Sequence, residues 1–157
     1  MFDTIIWATD GSENADRALP YAKALADGLD HKLVAVHCKE IFAGRGGGWP
    51  VLADEGELQE KVRRQVEEAR DEGLDATLQI IPAAAPGAAH TIADFAREIG
   101  ADAIVVGTRG HSPVAGLLLG SLTQRLLHIA PCPIMAVPQT DKAKPEKVEQ
   151  AATAATH

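Results

Sequence analysis

Residues 103–121 read A-I-V-V-G-T-R-G-H-S-P-V-A-G-L-L-L-G-S, from Ala103 to Ser121. The apolar run Ala103-Ile104-Val105-Val106 fits a strand buried on both faces, and it stops at Gly107. Gly110 follows, and after nine more residues Gly120 and Ser121 open an apolar segment, Leu122 to Ile129, predicted to be a helix. A strand running into a glycine loop and then a helix is how α/β proteins build an anion site. Positions without side chains let backbone N–H groups approach phosphate oxygens, and the unpaired N–H groups of a helix start add their dipole. The stretch is not a Walker loop, because no Gly-Lys-Ser/Thr follows, and it is not G-x-G-x-x-G. A single glycine would simply turn the chain. Three at this spacing, closing on Gly-Ser, point to a ligand.

Upstream, strands and helices alternate. Thr4–Thr9 reads as strand 1, Asp10-Gly11-Ser12 as a turn, and a helix begins near Glu13 with Ser12 or Asp10 available as its N-cap. Pro20 interrupts that helix's apolar stripe and predicts a kink. Lys32–Cys38 is strand 2, and residues 39–54 form an irregular loop containing Gly44, Gly46-Gly47-Gly48 and Trp49-Pro50. Glu55–Glu72 is a charged helix with Leu58, Val62, Val66 and Ala69 on one face, its many charges reading as a solvated outer surface. Asp75–Ile81 is strand 3, Pro82–Gly87 a connector, and Ala89–Ile99 a helix stopped by Gly100. Strand 5, Pro133–Val137, is bracketed by prolines and belongs at a sheet edge. Residues 139–157 lack an apolar face and are expected to be a disordered tail, leaving one α/β domain over residues 1–138.

With 46% hydrophobic and 24% charged residues the chain has the composition of an ordinary globular domain. A formal charge of −7 argues against a nonspecific nucleic-acid or anionic-membrane surface, though not against a local phosphate site made of backbone amides. No apolar run approaches the ~20 residues that span a bilayer, and the N-terminus lacks a secretory pattern, so a cytoplasmic location is expected. Cys38 and Cys132 are not at metal or redox spacing.

G-T-R-G, nine residues, then G-S resembles the nucleotide loop of the ATP-binding branch of the universal stress protein family. The likeness extends over about residues 2–138 and includes A-T-D-G-S at the first strand, L-V-A-V-H-C at the second and P-C-P-I-M-A-V-P near the end. It implies a Rossmann-like fold: one open, five-stranded parallel sheet in the order 3-2-1-4-5, with helices on both faces. In that order the chain reverses direction between strands 1 and 4, and ligands of open α/β sheets bind outside the strand ends at such a point. Asp10 and Gly107 would meet there.

The resemblance also implies roles. Gly107, Gly110, Gly120 and Ser121 would surround phosphates and ribose, joined by the backbone of Leu122. Asp10 would hold a ribose hydroxyl, the adenine edge or, through water, Mg²⁺. The main chain of Cys38 would meet adenine, and Ala8, Thr9 and Val106 would form walls. Arg109 and His111 reach either phosphate or solvent, and His37 reads as a structural histidine. Family members commonly carry a Gly-x-Pro turn before helix 3, which is rearranged here to Pro82-Ala83-Ala84-Ala85-Pro86-Gly87. The expected ligand is ATP, or ADP or AMP, and the expected assembly a homodimer through strand 5, with a protein partner that the sequence does not name. Lacking a Walker lysine and a carboxylate pair, the chain reads as a binding module. A slow ATP hydrolase or nucleotidyl transferase is the alternative, and a nucleotide-free structural dimer the second.

Overall fold

The computed structural model describes residues 2–41, 54–84, 87–109 and 119–139. Strand β1 (Thr4–Ala8) sits at the centre because its side chains enter two cores in alternation. Ile5 and Trp7 join Leu33, Ala35 and Val105 beneath α1 (Glu13–Leu25) and α2 (Glu55–Asp71). Ile6 and Ala8 join Val34, Val36 and Val106 beneath α3 (Ala88–Ile99) and α4 (Ser121–Ile129). A strand covered on both faces must be apolar throughout, and this two-sided burial explains why β1 and β4 (Ala103–Gly107) show no hydrophobic alternation.

With β2 (Lys32–Ile41), β3 (Asp75–Ala84) and β5 (Ile134–Val137), these strands form one parallel sheet in the order β3-β2-β1-β4-β5. The expected fold class and strand order are therefore observed, with β5 at an edge. The strand starts are tied by Asp102, whose carboxylate accepts the N–H groups of Asp3 and Thr4, both at 2.9 Å. Gly100 ends α3 in the left-handed region at φ 64°.

Two boundaries differ from expectation. The β2–β3 ladder continues three residues further, pairing Lys39 with Pro82 and Ile41 with Ala84. Pro82 is tolerated because β3 is an edge strand, with β2 as its one neighbour among the described residues, so a missing N–H need not break the ladder. Helix α1 agrees with expectation in running as one element from Glu13 through Pro20, which lies on its exposed side. Cys38 and Cys132 are both free thiols, on or beside strands three positions apart in the sheet. Among the described residues no helix is long and apolar enough to cross a membrane. The glycine-rich segment 43–50, Gly110, His111 and residues 140–157 of the expected tail lie outside the described residues.

Candidate functional site

From β1 the chain crosses to β2 on one side, and from β4 it crosses to β5 on the other. Ala8 pairs with Val106, so the turn after β1 lies beside the end of β4. That turn is fixed by its own side chains. The Thr9 hydroxyl accepts the Gly11 N–H at 3.1 Å, Asp10 Oδ1 accepts the Ser12 N–H at 2.9 Å, and Ser12 Oγ accepts the Ala15 N–H at 3.3 Å. Of the two possible N-caps for α1, Ser12 is the one used, while half-buried Asp10 folds the turn ahead of it. Gly11 has φ +78°, and a side chain there would run into Leu58 of α2.

The β4 end is closed just as tightly. The Gly120 N–H donates to the Thr108 carbonyl at 2.6 Å, and Thr123 Oγ1 donates to the Gly107 carbonyl at 2.9 Å. Gly120 is the N-cap of α4 and has no side chain to satisfy the first-turn amides. The N–H groups opening α4, from exposed Ser121 and half-buried Leu122 onward, therefore lack the side-chain cap that α1 receives from Ser12. Arg109 is half-buried two residues beyond β4.

Ala8, Thr9, Asp10, Val106, Gly107, Gly120, Ser121 and Leu122 thus belong to two strand ends and two helix starts gathered at the carboxyl ends of the inner strands β1 and β4. Ala8 and Val106 send their side chains into the core, so neither side chain reaches out from the strand ends. Cys38 lies on the adjoining strand and faces α3, with Sγ 3.9 Å from the Ala88 carbonyl.

Three supporting residues escaped the sequence reading. Thr123 is buried behind the first turn of α4. Lys61 of α2 donates to the Gly11 carbonyl at 2.9 Å and pairs with Asp16 at 2.5 Å. Glu55, expected on a solvated face, is instead buried and bonded to His37 Nε2 at 2.7 Å, while His37 Nδ1 lies 3.0 Å from the Thr9 carbonyl. Burial alone would push the Glu55 carboxyl up. Hydrogen bonds from Gln59 and His37, with the charges of His37 and Lys39, more than offset that and hold it below its ordinary range. The available signal was alternation: His37 follows Leu33 and Ala35 toward the α2 face.

A concavity of about 450 Å³ lies at the opposite end of the sheet, between the α1–β2 and α2–β3 turns. Its Asp27, Asp30, Glu72 and Asp75 would repel phosphate, and the strands begin there rather than end. Among the described residues no group of three or more His, Cys, Asp or Glu side chains is arranged to hold a metal.

The family model described as the universal stress protein family matches residues 1–138. The chain belongs to that family. A universal stress protein of Thermus aquaticus is 36% identical over 149 residues, covering 87% of this chain and 99% of the relative. The solved structure of a universal stress protein from Archaeoglobus fulgidus superposes with a TM-score of 0.67 at 27% identity, covering 87% of this chain and 98% of the other. A universal stress protein of the same organism, solved in complex with dAMP, is 25% identical with a TM-score of 0.63, over 87% of this chain and 98% of that one. In this universal stress protein the β1–α1 turn and the start of α4 occupy the switch point of the sheet.

Proposed function

We propose that this universal stress protein is an adenine-nucleotide-binding module of the stress response, working with ATP and signalling through a change of conformation or partner. The observation that carries the reading is the start of α4. Among the described residues its amides have no capping side chain, and they stand at the switch point beside the Asp10 turn. The dAMP held by the Archaeoglobus fulgidus relative supports an adenine nucleotide as the ligand class.

In this reading the amides around Gly107, Gly110, Gly120, Ser121 and Leu122 bind phosphate, and Arg109 adds a positive charge nearby. Asp10 meets ribose or, through water, Mg²⁺, whose preference for oxygen ligands suits a carboxylate beside phosphates. Main-chain groups of Ala8, Thr9, Cys38 and Val106 border the base. The globular unit is residues 1–138, it works in the cytoplasm, and it pairs with a second copy through β5. Mass spectrometry of freshly purified, denatured protein tests the ligand. Co-purifying ATP, ADP or AMP is expected, and calorimetry showing no adenine nucleotide bound at millimolar concentration would overturn the reading.

A further inference from the structure

The His37–Glu55 pair makes an unusual demand on protons. The Thr9 carbonyl can only accept, so the 3.0 Å contact fixes a proton on His37 Nδ1. The 2.7 Å contact between Nε2 and Glu55 Oε1 then needs a second proton, carried by the ring or by the carboxyl. A neutral ring facing an ionised Glu55 would set a lone pair against an anion, and water cannot readily intervene because His37 is 3% and Glu55 6% exposed. Both contacts therefore persist only while that second proton is present. When it leaves, the ring must give up either Glu55 or Thr9.

Thr9 is the residue on which the Asp10 turn is built. Its N–H is anchored to the Val36 carbonyl at 3.0 Å, and its hydroxyl receives the Gly11 N–H. Glu55 opens α2, which grips the same turn again through Leu58 against Gly11 and Lys61 on the Gly11 carbonyl. We propose that His37 and Glu55 are positioning residues of the nucleotide site, acting through the Thr9 carbonyl, and that the proton they share sets the affinity of that site. The proposal rests on the nucleotide-binding reading above.

Among the described residues, the charged groups on elements packed around the pair are few. Strand β2 contributes Lys39, which favours the ionised carboxylate, and α2 adds the neutral amide of Gln59, bonded to Glu55 at 2.8 Å. On the β1–α1 turn Asp10 is bonded to the Ser12 N–H, and on α1 Asp16 is held by Lys61 and Gln65. Strand β3 places Ile80 and Pro82 in register with His37 and Lys39.

The test compares wild type with Glu55→Gln and Glu55→Ala by calorimetry with ATP, from about pH 5 to about pH 9, a span that brackets the ordinary histidine value of about 6.5. Wild-type affinity should fall with rising pH by about tenfold, the size of one charge-assisted hydrogen bond. In Glu55→Gln an amide N–H donates to neutral Nε2 without a second proton, so affinity should stay near the wild-type neutral-pH value with a flatter profile. Glu55→Ala should bind weakly at every pH. The profile of wild type relative to Glu55→Gln cancels the ionisation of ATP itself. Parallel profiles in all three proteins would overturn the proposal, leaving the pair a packing feature only. A readout without nucleotide separates the two readings: amide resonances of Gly11 and Ser12 should titrate together with the His37 ring in wild type but not in Glu55→Gln. If ATP fails to bind wild type, the nucleotide reading falls, and co-titration or its absence still decides whether the pair controls the turn.

Discussion

Gly107 lies against the main chain of Asn14: a Cβ built on it would stand 2.5 Å from the Asn14 carbonyl oxygen and 2.8 Å from the carbonyl carbon. Glycine is demanded here by the approach of α1 to the end of β4, whatever ligand the site takes. The same contact locks the two halves of the site together, since Asn14 lies in the first turn of α1 and Thr123, behind the first turn of α4, bonds to the Gly107 carbonyl.

Gly107→Ala should therefore act on stability before it acts on binding. Neither colliding atom belongs to a flexible side chain, so the start of α1 must move. An overpacked site of this kind costs about 1–3 kcal/mol. Urea denaturation should show a lower midpoint with an unchanged slope. A wild-type midpoint would mean that α1 shifts without resistance.

Thr123→Val keeps the shape of the buried side chain and removes its hydroxyl. The Gly107 carbonyl loses a donor, at a cost of about 1–3 kcal/mol. Thr123→Ser restores the hydroxyl and should recover most of the difference in thermal unfolding. If serine is as damaging as valine, the lost methyl group matters more than the hydrogen bond.

The parts of the fold legible in the sequence are those set by local rules. The apolar runs of β1 and β4 reveal burial on both faces, and Gly100 marks the left-handed end of α3. The glycine and serine at the start of α4 were visible too, because main-chain sites need particular small residues. What stayed hidden depends on contacts between distant segments. Glu55 lies three residues before Leu58 and seven before Val62, on the buried stripe of α2 that Glu57 and Glu60 do not share. A carboxylate there still reads as solvated until the packing of α2 on β2 brings it to His37. Gly107 was read as a ligand-loop glycine because Asn14, ninety-three positions earlier, is remote in the chain. The extension of β3 through Pro82 was missed because a proline is excluded from a central strand but not from this edge.

Glu55 also makes a prediction in acid. Its carboxyl is held below the ordinary range in the folded protein, so folding favours the ionised form. That contribution is complete above the unfolded-state value of about 4.3 and is lost as pH falls through the lower folded value. Measured by urea unfolding, the stability of wild type minus that of Glu55→Gln should shrink as pH is lowered from about 5 to about 3. A constant difference would mean that Glu55 ionises alike in both states.

Met135 is 38% exposed on β5, whose outer edge has no strand beside it among the described residues. Identical edges can pair antiparallel about a two-fold axis, each satisfying the other's open backbone groups. The wild type should sediment as a dimer of the 16.5 kDa chain, and Met135→Lys should shift it toward monomer by placing a charge at the pairing surface. A wild-type monomer at ~50 μM, far above the dissociation constant of a standard-size interface, would remove β5 as the dimer contact.

Gly120→Val separates binding from folding at the start of α4. Gly120 has φ −67° and ψ 153°, a conformation that any L-residue adopts, so valine brings little backbone strain. Its branched side chain would nonetheless stand where, in the proposed reading, phosphate approaches the first-turn amides of α4. Wild type should bind ATP with Mg²⁺ in the micromolar range, about −8 kcal/mol, and the variant should lose at least about tenfold, or ~1.4 kcal/mol. The melting temperature should fall far less than the affinity. Hydrolysis is expected to be slow in both proteins, because the sequence carries no Gly-Lys-Ser/Thr motif whose lysine would clamp the leaving charge. Phosphate release above about 1 per second, the lower end of ordinary turnover, would favour a hydrolase instead. Unchanged ATP affinity in Gly120→Val would remove the start of α4 from phosphate binding.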